Sequence, residues 1–312
     1  MIADRLTVAP EVTSALADGR AVVALESTLI SHGLPYPTNL EVARASEAAV
    51  RESGAVPATV AIRDGHLLVG LAAGDLEALA TAPAGSVRKA ARPSLAAALV
   101  AGGWAATTVS ATMIAAHAAG IRVFATGGIG GVHRGALAGG RSGRPPSFDI
   151  SSDLEELGRT PMAVVCAGPK AILDVPATLE YLETRGVPVV TIGQAELPGF
   201  YARSSGIRSP LTAATVEEAA AIAGRHLELR LGGVLLCVPV PASAALPDDV
   251  ARDAIERAIA EAESAAVTGP ELTPWLLARI ATLTDGASVR ANTALIENNA
   301  RVAGPLAAAL AD

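Results

Sequence analysis

The run Met162-Ala163-Val164-Val165-Cys166-Ala167 constrains the fold more than any other stretch. It is unbroken, apolar and valine-rich, as a strand buried on both faces of a parallel sheet must be. Gly168 and Pro169 stop it, and Lys170 then stands at its carboxyl end. Ligands of open α/β sheets bind at that edge. A lysine there is either a solvated loop residue with its stem on apolar surface or a desolvated amine able to attack a carbonyl. The chain contains only two lysines, Lys89 and Lys170, both in expected loops beside strand or helix ends, and this sparing use favours the second reading.

Other short apolar runs repeat the pattern. Ala21 to Leu25 ends at Glu26-Ser27-Thr28, followed by a loop carrying His32, Gly33, Pro35 and Pro37. Asn39 is placed to cap a helix running to Ser53. Ala58 to Ile62 and Leu67 to Leu71 read as strands joined at Asp64-Gly65, a hairpin signal. Ala106 to Val109 reads as a strand, Met113 to Ala119 as a helix, and Arg122 to Ala125 as a strand opening into Thr126-Gly127-Gly128-Ile129-Gly130-Gly131-Val132-His133-Arg134-Gly135. Residues 136–147 read as a mobile glycine-, arginine- and proline-rich loop. Later come a helix over 176–184, strands over 188–192 and 234–238, and helices over 215–229, 248–266, 273–283 and 288–309. Strands alternating with helices predict an α/β fold, in three α/β/α layers around a largely parallel central sheet. No linker, composition shift or repeat divides the 312 residues, so one domain spanning 1–312 is expected.

Aromatic residues make up 3% of the chain against 51% hydrophobic, so the core must be built from Ala, Val, Leu and Ile. A net charge of −7 disfavours nucleic acid as a partner, while small anionic substrates stay open because local charge governs them. Cys166 and Cys237 lie in apolar runs and read as reduced, buried thiols in a cytoplasmic setting. Neither a signal peptide nor a membrane span is expected.

The glycine run at 127–131 would let backbone N–H groups approach an anion, or simply form a tight turn. It fits neither the dinucleotide spacing nor a phosphate-binding P-loop, since no G-K-[ST] follows. Asp149 and Asp153 flank Ser151 and Ser152. Ser152 or Asp153 can cap the next helix, and the carboxylates can also hold a hard cation that keeps its waters. No zinc or esterase motif occurs. Glu26 ends a buried strand as either a turn cap or an acid with raised pKa. His32 lies close to it; His66, His117 and His226 read as structural or exposed.

Four collinear segments, residues 26–37, 126–135, 148–154 and 165–174, resemble the pseudouridine-5′-phosphate glycosidase family. A fifth, Ala291-Asn292-Thr293-Ala294-Leu295 with Asn298-Asn299-Ala300, resembles the family's C-terminal helix. The resemblance implies reversible cleavage of the bond between ribose C1′ and uracil C5, giving uracil and ribose 5-phosphate. It implies a manganese ion and a homotrimer. By position it implies Lys170 as the Schiff-base lysine, Glu26 as proton donor and Asp149 as metal ligand. Lys89, Val109, His133, Ser151, Ser152, Asp153 and Asn292 fall at substrate or further active-site positions. A second cation at Lys89 would favour the neutral amine of Lys170. One segment departs from the family: its Ser-Arg-Arg-Asp run after the first lysine is here Ala90-Ala91-Arg92-Pro93-Ser94. Two other readings stand beside this one, a lysine-dependent aldolase or lyase on another sugar phosphate, and a sugar-phosphate binder without turnover.

Overall fold

The structure is a computed structural model that describes residues 2–137, 146–267 and 272–311. Most of the expected loop at 136–147 therefore lies outside the described residues. The strands are β1 (Leu6–Val8), β2 (Val22–Leu25), β3 (Val56–Arg63), β4 (His66–Val69), β5 (Arg88–Ala90), β6 (Trp104–Thr107), β7 (Val123–Ala125), β8 (Val132–His133), β9 (Ala163–Cys166), β10 (Leu173–Asp174), β11 (Val189–Ile192), β12 (Leu211–Ala213) and β13 (Val234–Cys237). The helices are α1 (Pro10–Ala17), α2 (Thr38–Glu52), α3 (Ala73–Ala80), α4 (Leu95–Val100), α5 (Val109–Ala118), α6 (Ser152–Leu157), α7 (Val175–Thr184), α8 (Val216–Glu228), α9 (Asp248–Ser264), α10 (Leu272–Leu283) and α11 (Ala287–Ala311).

One mixed sheet runs β1-β4-β3-β2-β7-β9-β13-β11-β12, and its six strands from β2 to β12 are all parallel. The long strand β3 branches it. Its first half pairs with β2, and its second half pairs antiparallel with both β4 and β6, with β5 beside β6. The hairpin turn was legible: Asp64 and Gly65 both take positive φ, as a two-residue turn of this hand requires. A separate two-stranded ribbon pairs β8 with β10.

The sheet's period of two sorts its residues into the outer layers. Val23, Leu25, Ala163 and Val165 face α2, α8 and α11. Val22, Ala24, Val164 and Cys166 face α1, α5, α6 and α7. Small side chains let the layers approach closely, and each fully buried Val or Leu contributes roughly 1.5–3 kcal/mol. A third cluster, joining Ala167 and Ile172 to α9, α10 and the start of α11, covers the carboxyl edge. Cys166 and Cys237 are free, buried and directly opposite one another on β9 and β13. A hydrogen bond with Cys166, together with burial, pushes the Cys237 thiol up.

Two local readings are corrected. Asn39 is not the cap of α2: it sits inside the first turn, buried, and its amide donates to Ile30 O (2.7 Å) and Ala80 O (3.0 Å). Ile30 lies on the turn Leu29–Gly33 and Ala80 ends α3, and satisfying their carbonyls outweighs capping. Val109 does not end a strand. β6 stops at Thr107, and Val109 is the first residue of α5 after Thr108 turns the chain.

Candidate active site

Three neighbouring parallel strands end on one edge. β2 leads into Glu26, β7 into Thr126, and β9 into Lys170. Glu26 is buried, and the Thr126 hydroxyl donates to its carboxylate. Burial raises the Glu26 pKa, and the Lys170 charge is the largest opposing influence. The Thr126 hydrogen bond and Lys89 also lower it, while Asp153 raises it. The net shift is upward, the direction that suits a proton donor.

Lys170 is held by its main chain. Its N–H donates to Ile129 O at 3.1 Å, and Pro169 bridges Ile129, so the lysine loop lies along the glycine loop. Lys89 does not sit in a loop but in the edge strand β5, parallel to β6. Partial desolvation of its amine, and then the Lys170 charge, lower its pKa. Solvent still reaches the residue, which limits the effect. His32 stands near Lys89 on the turn Leu29–Gly33, with burial first and the Lys89 charge second lowering its pKa.

The glycine loop is squeezed from two sides. A Cβ on Gly128 would come 2.5 Å from the Phe200 ring and 2.8 Å from Gly168 O. A Cβ on Gly130 would strike the Ser151 hydroxyl and come 2.9 Å from the Asp153 carboxylate. Close approach therefore requires glycine at both positions. The Gly130 N–H donates to Asp153 Oδ2 at 2.9 Å, so the anion that this N–H serves is the protein's own. Asp153 Oδ1 accepts the Ser110 N–H at 3.0 Å. Asp153 thus joins the glycine loop to the start of α5.

The cap of α6 is Ser151, not Ser152 or Asp153, and its hydroxyl accepts the Asp153 N–H. Only Ser151 precedes the helix with extended backbone, as a cap must. Ser152 turns its hydroxyl to Ser110 (3.2 Å), and Ser110 in turn meets Thr108 (3.2 Å). These three hydroxyls gather where α5 and α6 begin. The departure after Lys89 has a structural answer. Arg92 pairs with buried Glu156, its N–H donates to the Ser110 hydroxyl, and Ser94 Oγ accepts the Ala91 N–H. The altered segment is thereby tied to the same hydroxyl cluster.

His133 ends β8, and its Nδ1 lies 3.9 Å from Asp149 Oδ2, a half-exposed carboxylate. Among the described residues no group of three or more His, Cys, Asp and Glu side chains is arranged to hold a metal. One carboxylate beside an imidazole does not fit an all-protein cage. It does fit a hard divalent ion that keeps most of its waters. Asn292 lies half-buried on α11. A cavity of about 530 Å³ opens on the other side of the lysine loop, lined by Pro169, Ala171, Asp174 and Arg252; Lys170 does not line it.

Glu26, Lys170, Lys89 and Asp153 thus share one electrostatic cluster, while Asp149 and His133 form a second pair at the far end of the glycine loop. Reading the sequence assigned no individual role to Thr126, Ser110 or Asn299. Asn299 is buried on α11 and donates to Thr126 O (2.8 Å) and Gly127 O (3.3 Å). Thr126 was findable as the polar residue between a buried strand and a glycine run.

The chain is similar to known proteins over nearly its whole length. The model of the family described as Indigoidine synthase A like protein matches residues 11–309. The pseudouridine-5′-phosphate glycosidase of Paracoccus denitrificans is 53% identical over 98% of this chain and 98% of its own. That of Sorangium cellulosum is 53% identical over 100% and 95%. The crystal structure of the prealnumycin C-glycosynthase AlnA, in complex with ribulose 5-phosphate, superposes with a TM-score of 0.88 at 38% identity, covering 98% of this chain and 97% of that one. An indigoidine synthase A-like protein of Thermotoga maritima superposes with a TM-score of 0.84 at 33% identity, covering 98% and 97%.

Proposed function

The chain belongs to the indigoidine synthase A like family, alongside pseudouridine-5′-phosphate glycosidases, and from that premise we propose that it reversibly cleaves pseudouridine 5′-phosphate to uracil and ribose 5-phosphate. The observation that carries the proposal is the meeting of Glu26, Thr126 and Lys170 at the ends of three adjacent parallel strands. A binder without turnover has no use for a buried acid facing an amine. The protein is an enzyme, as its relatives are.

A C-glycoside has no leaving oxygen at the scissile bond, so a carboxylate pair alone does not suffice. In the proposed reaction the ribose ring opens as its oxygen takes a proton, which Glu26 supplies. The Lys170 amine bonds to C1′ as the bond from C1′ to the ring oxygen breaks, and the new ammonium returns a proton to the Glu26 carboxylate, which later supplies it to uracil C5. When the C1′–C5 bond breaks, the nitrogen lone pair forms the C=N⁺ bond and the C–C pair leaves on uracil C5, which is then protonated. Water hydrolyses the imine to the aldehyde of ribose 5-phosphate and frees Lys170. Lys89, the Ser152 hydroxyl and the backbone at Val109 are assigned to the sugar phosphate, with the buried Ser110 hydroxyl holding Ser152. Ser151 and Asp153 act by holding the loops that line the site. His133 and Asn292 complete the proposed surroundings. A manganese ion held by Asp149, with His133 beside it, would supply positive charge to substrate oxygens.

A homotrimer and a cytoplasmic setting belong to the same proposal and rest on the family resemblance. Among the described residues no helix is long and apolar enough to cross a membrane. The test is turnover of pseudouridine 5′-phosphate, with and without manganese, together with condensation of uracil and ribose 5-phosphate. Release of uracil in step with ribose 5-phosphate is expected. Failure of both directions, with another sugar phosphate trapped on Lys170, would move the assignment to an aldolase or to a C-glycosynthase using another acceptor.

A further inference from the structure

We infer that Asn299 is a positioning residue for the proton donor, acting on Glu26 through Thr126; the inference rests on the reading of Glu26 as the acid. Asn299 has no exposed surface, and its amide nitrogen donates to the carbonyls of Thr126 (2.8 Å) and Gly127 (3.3 Å), more than 170 residues earlier in the chain. Carbonyls only accept, so the orientation of the amide follows from its partners. The Thr126 hydroxyl in turn donates to Glu26. Helix α11 is pressed against the same turn: a Cβ on Gly127 would lie 3.0 Å from Ile296. The chain of contacts therefore runs from α11, through the main chain at 126–127, to the hydroxyl that holds the Glu26 carboxylate.

The other end of the amide argues that packing is not its purpose. Asn299 Oδ1 is buried with no hydrogen-bond partner among the described residues. An unsatisfied buried oxygen destabilises the fold, and the amide bears that cost while its nitrogen satisfies the Thr126 carbonyl, which an apolar residue would leave without that partner. The amide is retained for what its nitrogen does, which is to fix the position of Thr126. Thr126 in turn lowers the pKa of a Glu26 that burial raises. The pair sets how easily the acid gives up its proton.

The test is the pH profile of kcat for Thr126→Val, Asn299→Ala and the double variant. Glu26 works protonated, so the rate falls as pH rises through its pKa. Loss of the Thr126 hydrogen bond removes an influence that lowers this pKa, and the falling limb should move up by about one pH unit, as expected for one hydrogen bond to a charged group. Asn299→Ala should move the limb in the same direction with KM retained, and the double variant should match Thr126→Val alone. A limb that stays in place in Asn299→Ala while the melting temperature falls would reduce Asn299 to a structural residue. Should Asn299→Ala fail to fold, an unmoved limb in Thr126→Val would overturn the relay by itself. Failure of the underlying reading looks different: Glu26→Gln would then keep the parent's turnover and pH profile.

Discussion

Asp153 accepts the backbone N–H of Ser110, 43 residues earlier in the chain, on one carboxylate oxygen, and that of Gly130 on the other. A single buried side chain thereby sets the spacing between the glycine loop and the start of α5. Its negative charge also raises the Glu26 pKa.

Asp153→Asn tests both roles. The amide keeps one acceptor and turns N–H donors toward a backbone N–H, leaving a buried donor unsatisfied. We expect a loss of about 1–3 kcal/mol in unfolding free energy, read by chemical denaturation. Removing the charge should also lower the Glu26 pKa, so the falling limb of kcat should move to lower pH, opposite to Thr126→Val. An unchanged limb in a folded variant would show that Asp153 acts on loop geometry alone.

Glu26→Gln should separate chemistry from stability. Turnover should fall by roughly 10²-fold or more with KM retained, because the amide keeps shape and accepting capacity but has no proton to give. Stability should move the other way. The folded-state pKa of Glu26 is raised above its unfolded value. The folded protein therefore binds more protons, and this site's contribution to stability declines as pH climbs from the unfolded pKa through the folded one. At neutral pH the amide is expected to melt no lower than the parent, and the parent should gain on it as pH drops into the ordinary carboxylate range. A variant that melts well below the parent at neutral pH would contradict a burial-dominated shift.

Much of this site was legible because its residues sit where buried strands end. A run such as Val164-Val165-Cys166 identifies a two-face-buried strand from composition alone, and the next polar residue then falls on the ligand edge. Strands β1 and β12 were missed for the converse reason. Each is three residues long on a sheet edge, with Ala213 the one buried position between them, and such a stretch carries almost no burial signal. The pairing of Asn299 with Thr126 spans 173 residues and depends on how α11 crosses the sheet, which no local pattern records. Propensity also misled at Asn39, where two carbonyls claimed the side chain that would otherwise have capped α2.

Asp149→Ala should act through the metal. The side chain is 54% exposed, so its removal leaves the core intact and the melting temperature close to the parent's. Activity should lose its dependence on added manganese, and manganese binding followed by calorimetry should weaken. Full manganese-stimulated turnover in this variant would move the ion to another site.

The last prediction decides between the two lysines. A lysine whose pKa is lowered is the better nucleophile near neutral pH. Desolvation and the neighbouring Lys170 charge lower the Lys89 pKa, so Lys89 is a genuine rival for the imine. Position argues for Lys170. Its main chain is fixed to the glycine loop by Ile129, and it exerts the largest opposing charge effect on the Glu26 acid. Lys89 comes from the edge strand β5, stays accessible to solvent, and exerts the weakest charge effect on that acid. A nucleophile and an acid that serve the same C1′ must lie close to each other, whereas a cation that holds phosphate need not. Borohydride reduction in the presence of ribose 5-phosphate should therefore place the adduct on the peptide containing Lys170. Lys170→Arg should keep the charge and the fold while turnover vanishes, and Lys89→Met should weaken substrate affinity while leaving the adduct able to form at high substrate. An adduct on Lys89 would exchange the two roles. No adduct on either lysine, with turnover intact, would remove the imine from the mechanism and leave Glu26 and Asp153 to carry the chemistry.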